Sequence, residues 1–182
     1  MVAKPSDNTP FPVYAEDHVQ GPGCAPFTLI QYGDYKSSTC RQLFEIVRGL
    51  QITMGEQLRI VYRHYPLSGI HPEAQEAAEA AEAAGAQGQF WEMHHLLFQN
   101  QNALKQKDLV SYGEALGLSI DRFRKDLRKR VYRERVREDF RRGVQNNVFK
   151  PPALFLNGVR HHEISGLRRA LQRFPDPLAA SG

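Results

Sequence analysis

Apolar residues fall along this chain in two rhythms, and the change from one to the other marks out its elements. Phe27-Thr28-Leu29-Ile30-Gln31-Tyr32 is a short, nearly continuous apolar run closed by Gly33 and Asp34, the pattern of a buried strand. Leu43, Phe44, Val47, Leu50 and Met54 then recur at helical spacing, which predicts a helix from near Ser38 to near Gly55. Ser37 stands where an N-cap belongs. Leu58 to His64 sets Ile60 and Tyr62 against Val61 and Arg63, the alternation of a second strand.

The rhythm then stays helical for a long stretch. Pro72 suits a first helical position, and Ala74, Ala77, Ala78, Ala81 and Ala84 form one small-residue face ending at Gly85. Phe90, Trp91, His94, Leu97 and Phe98 open an aromatic helix, and Leu109, Tyr112, Ala115 and Leu116 make another, closed by Gly117. From Ser119 a further run carries Phe123, Leu127, Val131, Phe140 and Val144. Ala153-Leu154-Phe155-Leu156 returns to strand, and Asn157-Gly158 predicts a tight hairpin with Val159 and Arg160 running back antiparallel. Ile164, Leu167, Leu171 and Phe174 define a last helix. Strand, helix, strand, several helices, hairpin, helix is an α/β order in which the first unit is right-handed and parallel.

Composition narrows the class without naming a function. With 182 residues, 41% of them apolar, the chain has material for one well-buried core. Met1 to Pro26 holds five of the eleven prolines and little periodicity, so it reads as an extended arm, 1–26, ahead of a domain over 27–176. No run crosses a bilayer and the start has no apolar segment of secretory type, so a cytoplasmic location is expected. Two cysteines are too few for a disulfide framework and fit a reducing compartment. Seven histidines show no ligand spacing, so no metal is expected. Arg122 to Arg142 holds eleven basic and four acidic residues, without interleaved stacking aromatics. That is a solvated, ion-paired face, and no nucleic acid is expected as partner.

The chemistry gathers at Tyr32-Gly33-Asp34-Tyr35-Lys36-Ser37-Ser38-Thr39-Cys40, between the first strand and its helix. Further pieces occur in order: Asp17-His18-Val19 with Gly21-Pro22, Arg63-His64-Tyr65-Pro66-Leu67, Ala83-Ala84-Gly85 with Phe90-Trp91-Glu92-Met93-His94, and Phe155-Leu156-Asn157-Gly158. Together these resemble the DsbA-like branch of thioredoxin-fold proteins over nearly everything from His18 to Phe174. The resemblance implies a thioredoxin-like fold with a helical insertion at about 70–145, and thiol–disulfide exchange with protein or peptide partners. It makes Ser37 and Cys40 the catalytic positions, and places Tyr35, Ser38, Thr39, Pro151 and Pro152 against a substrate, with Pro152 as the cis-proline before the third strand.

Two departures from the family pattern change the expectation. The attacking cysteine of the Cys-x-x-Cys pair is Ser37 here, so the site cannot close on itself as a disulfide. Pro151 precedes Pro152 and has no N–H to offer an extended substrate. Cys24 is no substitute partner: a six-residue strand separates it from Cys40 by roughly 20 Å, and a disulfide needs Cα atoms within about 7 Å. The expected function is a thiol–disulfide oxidoreductase relative with a single-thiol site and lost or altered redox activity. Two alternatives stand beside it. One is a non-catalytic module that binds a peptide or protein. The other is a protein like the kappa-type glutathione transferases, with Ser37 stabilising the thiolate of bound glutathione.

Overall fold

The structure, a computed structural model, describes residues 11–162. Five strands form one sheet: β1 (His18–Gln20), β2 (Phe27–Gly33), β3 (Leu58–His64), β4 (Ala153–Leu156) and β5 (Val159–His161), in the order β1-β3-β2-β4-β5. β2 and β3 are parallel, and every other neighbouring pair is antiparallel. The expected pairing of Ala153–Leu156 with the first core strand is present, with Leu29 opposite Leu156 and Tyr32 opposite Ala153. Asn157 and Gly158 both have positive φ, 46° and 80°, which is what a two-residue hairpin turn matching the sheet twist requires.

Alternation along the strands sends side chains to two layers. Leu29, Leu58, Ile60, Leu154 and Leu156 meet Leu43 and Val47 of helix α1 (Ser38–Met54). Ile30, Tyr32, Val61 and Phe155 face the opposite side, where Phe11 and Val13 of the arm and Phe140 pack on them. The arm therefore does more than lie on the domain. It supplies β1, which pairs with β3 through Val19 opposite Val61. It also supplies Asp17, whose carboxylate takes two hydrogen bonds from Arg63 at 3.0 and 2.7 Å. Arg63 is fully buried and also donates to the Tyr32 hydroxyl and the Pro12 carbonyl, so its charge is met on every side.

Between the strands lie α2 (Ala74–Gly85), α3 (Phe90–Gln99), α4 (Gln106–Ala115), α5 (Ile120–Lys129) and α6 (Arg133–Gln145). The run expected from Ser119 is therefore two helices. Arg130 breaks it with left-handed φ of 52°, and Val131 N–H closes on the Asp126 carbonyl at 3.1 Å, a helix-ending loop. The break follows from what must be buried. Phe123 and Leu127 join the helical core around α2 and α3, whereas Phe140 stacks on Tyr65 beside the sheet, 4.4 Å between ring centres. One straight helix cannot serve both. Val131 and Val144, counted in that run, are instead half exposed, 51% and 52%. Arginines on these helices are largely paired, among them Arg124 with Glu114, Arg130 with Glu79, and Arg141 with Glu134 and Glu138. The helix expected around Ile164–Phe174 lies outside the described residues.

Removing Asp17 should leave the Arg63 guanidinium buried and unpaired. Asp17→Ala is expected to lower unfolding stability by about 3–5 kcal/mol, measured by urea denaturation. A loss under 1 kcal/mol would mean that Arg63 finds water or a new partner.

Candidate functional site

The site is the turn between β2 and α1. Gly33 ends β2 where a Cβ would sit 2.7 Å from the Tyr62 ring, so only glycine lets these strands carry that tyrosine. Asp34 follows, with its side chain fully shielded from solvent. Its carboxylate accepts from the Lys36 N–H at 2.7 Å and the Leu67 N–H at 2.9 Å, and pairs with His71 Nδ1 at 2.9 Å. One carboxylate thus ties the turn to the connection that leaves β3. Gln101, after α3, adds a second tie: its side-chain N–H donates to the Tyr35 and Ser37 carbonyls at 2.6 and 2.9 Å. Lys36 reaches the Gln101 carbonyl at 3.0 Å.

Ser37 has extended backbone (φ −75°, ψ 122°) and caps α1, its hydroxyl accepting from the Cys40 N–H at 3.3 Å. The same hydroxyl shares a 2.9 Å hydrogen bond with Thr39 Oγ1. Ser37 is buried, Ser38 and Thr39 are exposed. Cys40 is completely buried, and its sulfur accepts from the Asp34 N–H at 3.5 Å. Burial pushes the Cys40 thiol up to about 11, against smaller opposing help from Ser37 and the Asp34 N–H. The helix N-terminus that lowers an exposed cysteine therefore loses here to desolvation.

Tyr35, expected against a substrate, turns inward instead. It is 1% exposed, its hydroxyl lies 3.0 Å from His94 Nδ1, and its ring packs among Tyr62, Phe98 and His94. The sequence Gly-Asp-Tyr puts Tyr35 on the side of the turn that the insertion covers, so the aromatic core takes it. His94 is held far below the usual imidazole range by burial, then by the neighbouring histidines, and stays neutral. On the other side of the site the Pro151–Pro152 peptide bond is cis, with Pro151 buried and Pro152 half-buried. Asp34, His71 and Gln101 were missed as site residues. Asp34 is visible in the Tyr-Gly-Asp-Tyr motif, but nothing in sequence links position 34 to 71 or 101.

A groove of about 700 Å3 opens between the Pro66–Pro72 connection and α6. Leu67, Ile70 and Phe140 supply apolar surface, and Arg130, Arg133 and Arg137 line one side. Arg133 has no acidic partner among the described residues, whereas Arg130 is committed to Glu79.

A family model described as Thioredoxin matches residues 14–173. The chain belongs to the thioredoxin family. Among solved structures, this thioredoxin-fold chain resembles BdbD from Bacillus subtilis, with a TM-score of 0.76 and 18% identity over 85% of this chain and 90% of that one. A thioredoxin-like oxidoreductase from Silicibacter pomeroyi gives a TM-score of 0.74 at 21% identity, covering 86% and 91%. The alpha-DsbA1 protein of Wolbachia pipientis gives 0.72 at 16%, covering 88% and 92%. These likenesses establish a DsbA-like thioredoxin fold. By sequence the chain is 48% identical over 146 residues to a protein of Salinispora arenicola named Na(+)/H(+) antiporter NhaA 1, covering 80% of this chain. It is 38% identical over 161 residues to a protein of the same name from Mycolicibacterium gilvum. The chain spans only 22% and 26% of these two relatives. No helix among the described residues is long and apolar enough to cross a membrane.

At pH 7 a thiol near 11 is about one part in ten thousand thiolate. Iodoacetamide should therefore modify exposed Cys24 and leave Cys40 intact until the protein is unfolded. What little Cys40 reaction occurs should rise about tenfold per pH unit up to the thiol's titration near 11. Peptide mapping of the alkylated cysteines checks this; equal labelling of both in the folded protein would contradict the burial argument.

Proposed function

We propose that this is a redox-silent DsbA-like domain that binds a protein segment, and that it has lost catalytic thiol–disulfide exchange. The observation that carries the reading is the pairing of Ser37 with a sealed Cys40. Reduction of a partner disulfide needs a thiolate to attack one sulfur, and then a second thiol to break the mixed disulfide, so that two thiols yield one disulfide and two electrons pass to the partner. Ser37 has no such chemistry and, among the described residues, no base beside its hydroxyl, which is committed to Cys40 N–H and Thr39. Cys40 is buried and protonated, which also argues against monothiol exchange with glutathione. The hydroxyl's local commitment weighs against a kappa-type role for Ser37.

Binding survives the loss of sulfur, though not where the family resemblance puts it. Pro151 offers no N–H for strand addition. The groove beside α6 offers apolar floor and unneutralised cationic charge at Arg133, which suits an extended segment carrying apolar residues next to acidic ones. In the relatives named as antiporters, the shared portion is read as such a module within a longer membrane protein; ion transport is not assigned to this chain.

Two measurements test this. The protein should not catalyse insulin reduction by dithiothreitol, and Ser37→Cys should create turnover and a measurable two-electron potential shared by the introduced thiol and Cys40. Catalysis by the unmodified protein would overturn redox silence. Separately, a fluorescent octapeptide alternating leucine and glutamate should bind saturably, and Arg133→Glu with Arg137→Glu should weaken it at least tenfold. Failure to bind, or binding indifferent to the charge reversal, would remove the groove as the docking place.

A further inference from the structure

We propose that His18, His64 and Glu82 form a binding site for a divalent transition-metal ion of the zinc class. The three come from different elements, β1, β3 and α2, and none lies at ligand spacing in the sequence. In the fold their donor atoms lie within 4.8 Å of one another. His18 Nε2 and His64 Nε2 each stand 3.0 Å from the same oxygen, Glu82 Oε1. Ligands bound to one zinc at about 2.0–2.2 Å sit roughly 3–4 Å apart, so small side-chain rotations would admit the ion. Two imidazole nitrogens with one carboxylate oxygen is a three-ligand set that leaves a fourth position open. His18 is the exposed side of the cluster, with 18% of its side chain accessible against 0% for His64 and 7% for Glu82. The open position therefore faces the His18 side.

The surroundings hold the donors in place. The His18 ring stacks on Phe90 with centres 3.3 Å apart and planes 4° from parallel. A Cβ on Gly85 would come within 3.2 Å of His18 Cε1, so glycine there leaves the ring its place. The backbone N–H of His64 is held by Asp139 at 3.0 Å. His64 Nδ1, by contrast, has no partner among the described residues. A ligand imidazole without that outer support costs about 10–100-fold in affinity, so binding should be micromolar.

Charge supplies the reason for a cation. Two buried carboxylates, Glu82 and Asp139, share one nearby guanidinium: Arg135 ion-pairs with Asp139 and lies 3.9 Å from Glu82. Two carboxylates against one guanidinium in a water-poor place favour a cation beside the imidazoles. Burial alone would raise the Glu82 carboxyl, but the His18 and His64 hydrogen bonds outweigh it and hold that group well below the usual carboxylate range. Around the pair, α6 contributes Arg135 and Asp139, the strands and turn contribute the rings of Tyr35 and Tyr62, and α3 contributes Phe90 and neutral His94. Protons and metal compete for the same nitrogens, so acid should weaken metal binding. An ion here would pin β1 of the arm to β3 and to the inserted helices.

The test uses untagged full-length protein, stripped with chelator and then given Zn2+ or Co2+. At pH 7.5 it should bind one equivalent of zinc by isothermal titration calorimetry, gain several degrees in melting temperature at a hundredfold excess over Kd, and show d–d absorption with Co2+. His18→Ala, on an edge strand with 18% of the side chain accessible, should fold and lose all three signals. Glu82→Gln should weaken metal binding at least tenfold. His161→Ala with His162→Ala should change none of them. The proposal is overturned by absence of zinc binding at 100 µM, by His18→Ala binding as tightly as the parent, or by binding that only the His161 and His162 changes abolish.

Discussion

The buried carboxylate of Asp34 is the constraint on which the site depends. A carboxylate taken out of water must be met by donors, and the three that meet this one come from its own turn, from the Leu67 N–H and from His71. Those two later partners sit on the connection between the parallel strand β3 and the inserted helices. Folding the turn therefore fixes where the insertion begins. Gln101 closes the arrangement from the far end of α3, donating to the Tyr35 carbonyl and to the Ser37 carbonyl, which also accepts from the Arg41 N–H. The site backbone is thus set by polar groups that surround it, and none of those bonds involves a cysteine sulfur as a reactive group.

That separation explains how one sulfur can be absent while the architecture stays whole. A serine in the first position of the quartet satisfies the Cys40 N–H by capping, a job a thiol does poorly, so the helix gains a better start. Cys40, freed from any need to meet a partner sulfur, behaves as a small apolar residue in contact with the core that contains Tyr35, Tyr62 and Phe44. The helix dipole favours a thiolate only when the sulfur is exposed to it and to water. At complete burial the cost of the charge is larger, and the thiol stays protonated.

The core strands, the hairpin and the insertion were legible because each rests on a local signal: continuous apolar runs for doubly covered strands, Asn157-Gly158 for the turn, small and aromatic stripes for α2 and α3. β1 was not legible. It is three residues long at a sheet edge, with Val19 pointing to solvent, so it has no alternation to detect. The α5–α6 break was hidden because a single helical rhythm runs through Val131, and the residue that turns the chain is an arginine, not the glycine expected in left-handed backbone. Arg130 spends its side chain on buried Glu79, at 2.6 and 2.8 Å, which offsets the backbone cost at a position whose sequence carries no turn signal. Site partners more than thirty residues apart, such as Asp34 with His71 or His18 with Glu82, are products of the topology and leave no pattern along the chain.

The same topology puts two different kinds of polar cluster on either side of one aromatic layer. Asp34, Ser37 and Cys40 lie at the start of α1; His18, His64 and Glu82 lie where the arm, β3 and α2 meet. Tyr35 and Tyr62 stand between them, with the His64 ring 5.9 and 5.5 Å from the two tyrosine rings. Tyr35 belongs to the turn whose carbonyl Gln101 holds. The first cluster carries Ser37 where the family resemblance places an attacking cysteine. The second brings two imidazoles and a carboxylate together, with the His18 ring stacked on core residue Phe90.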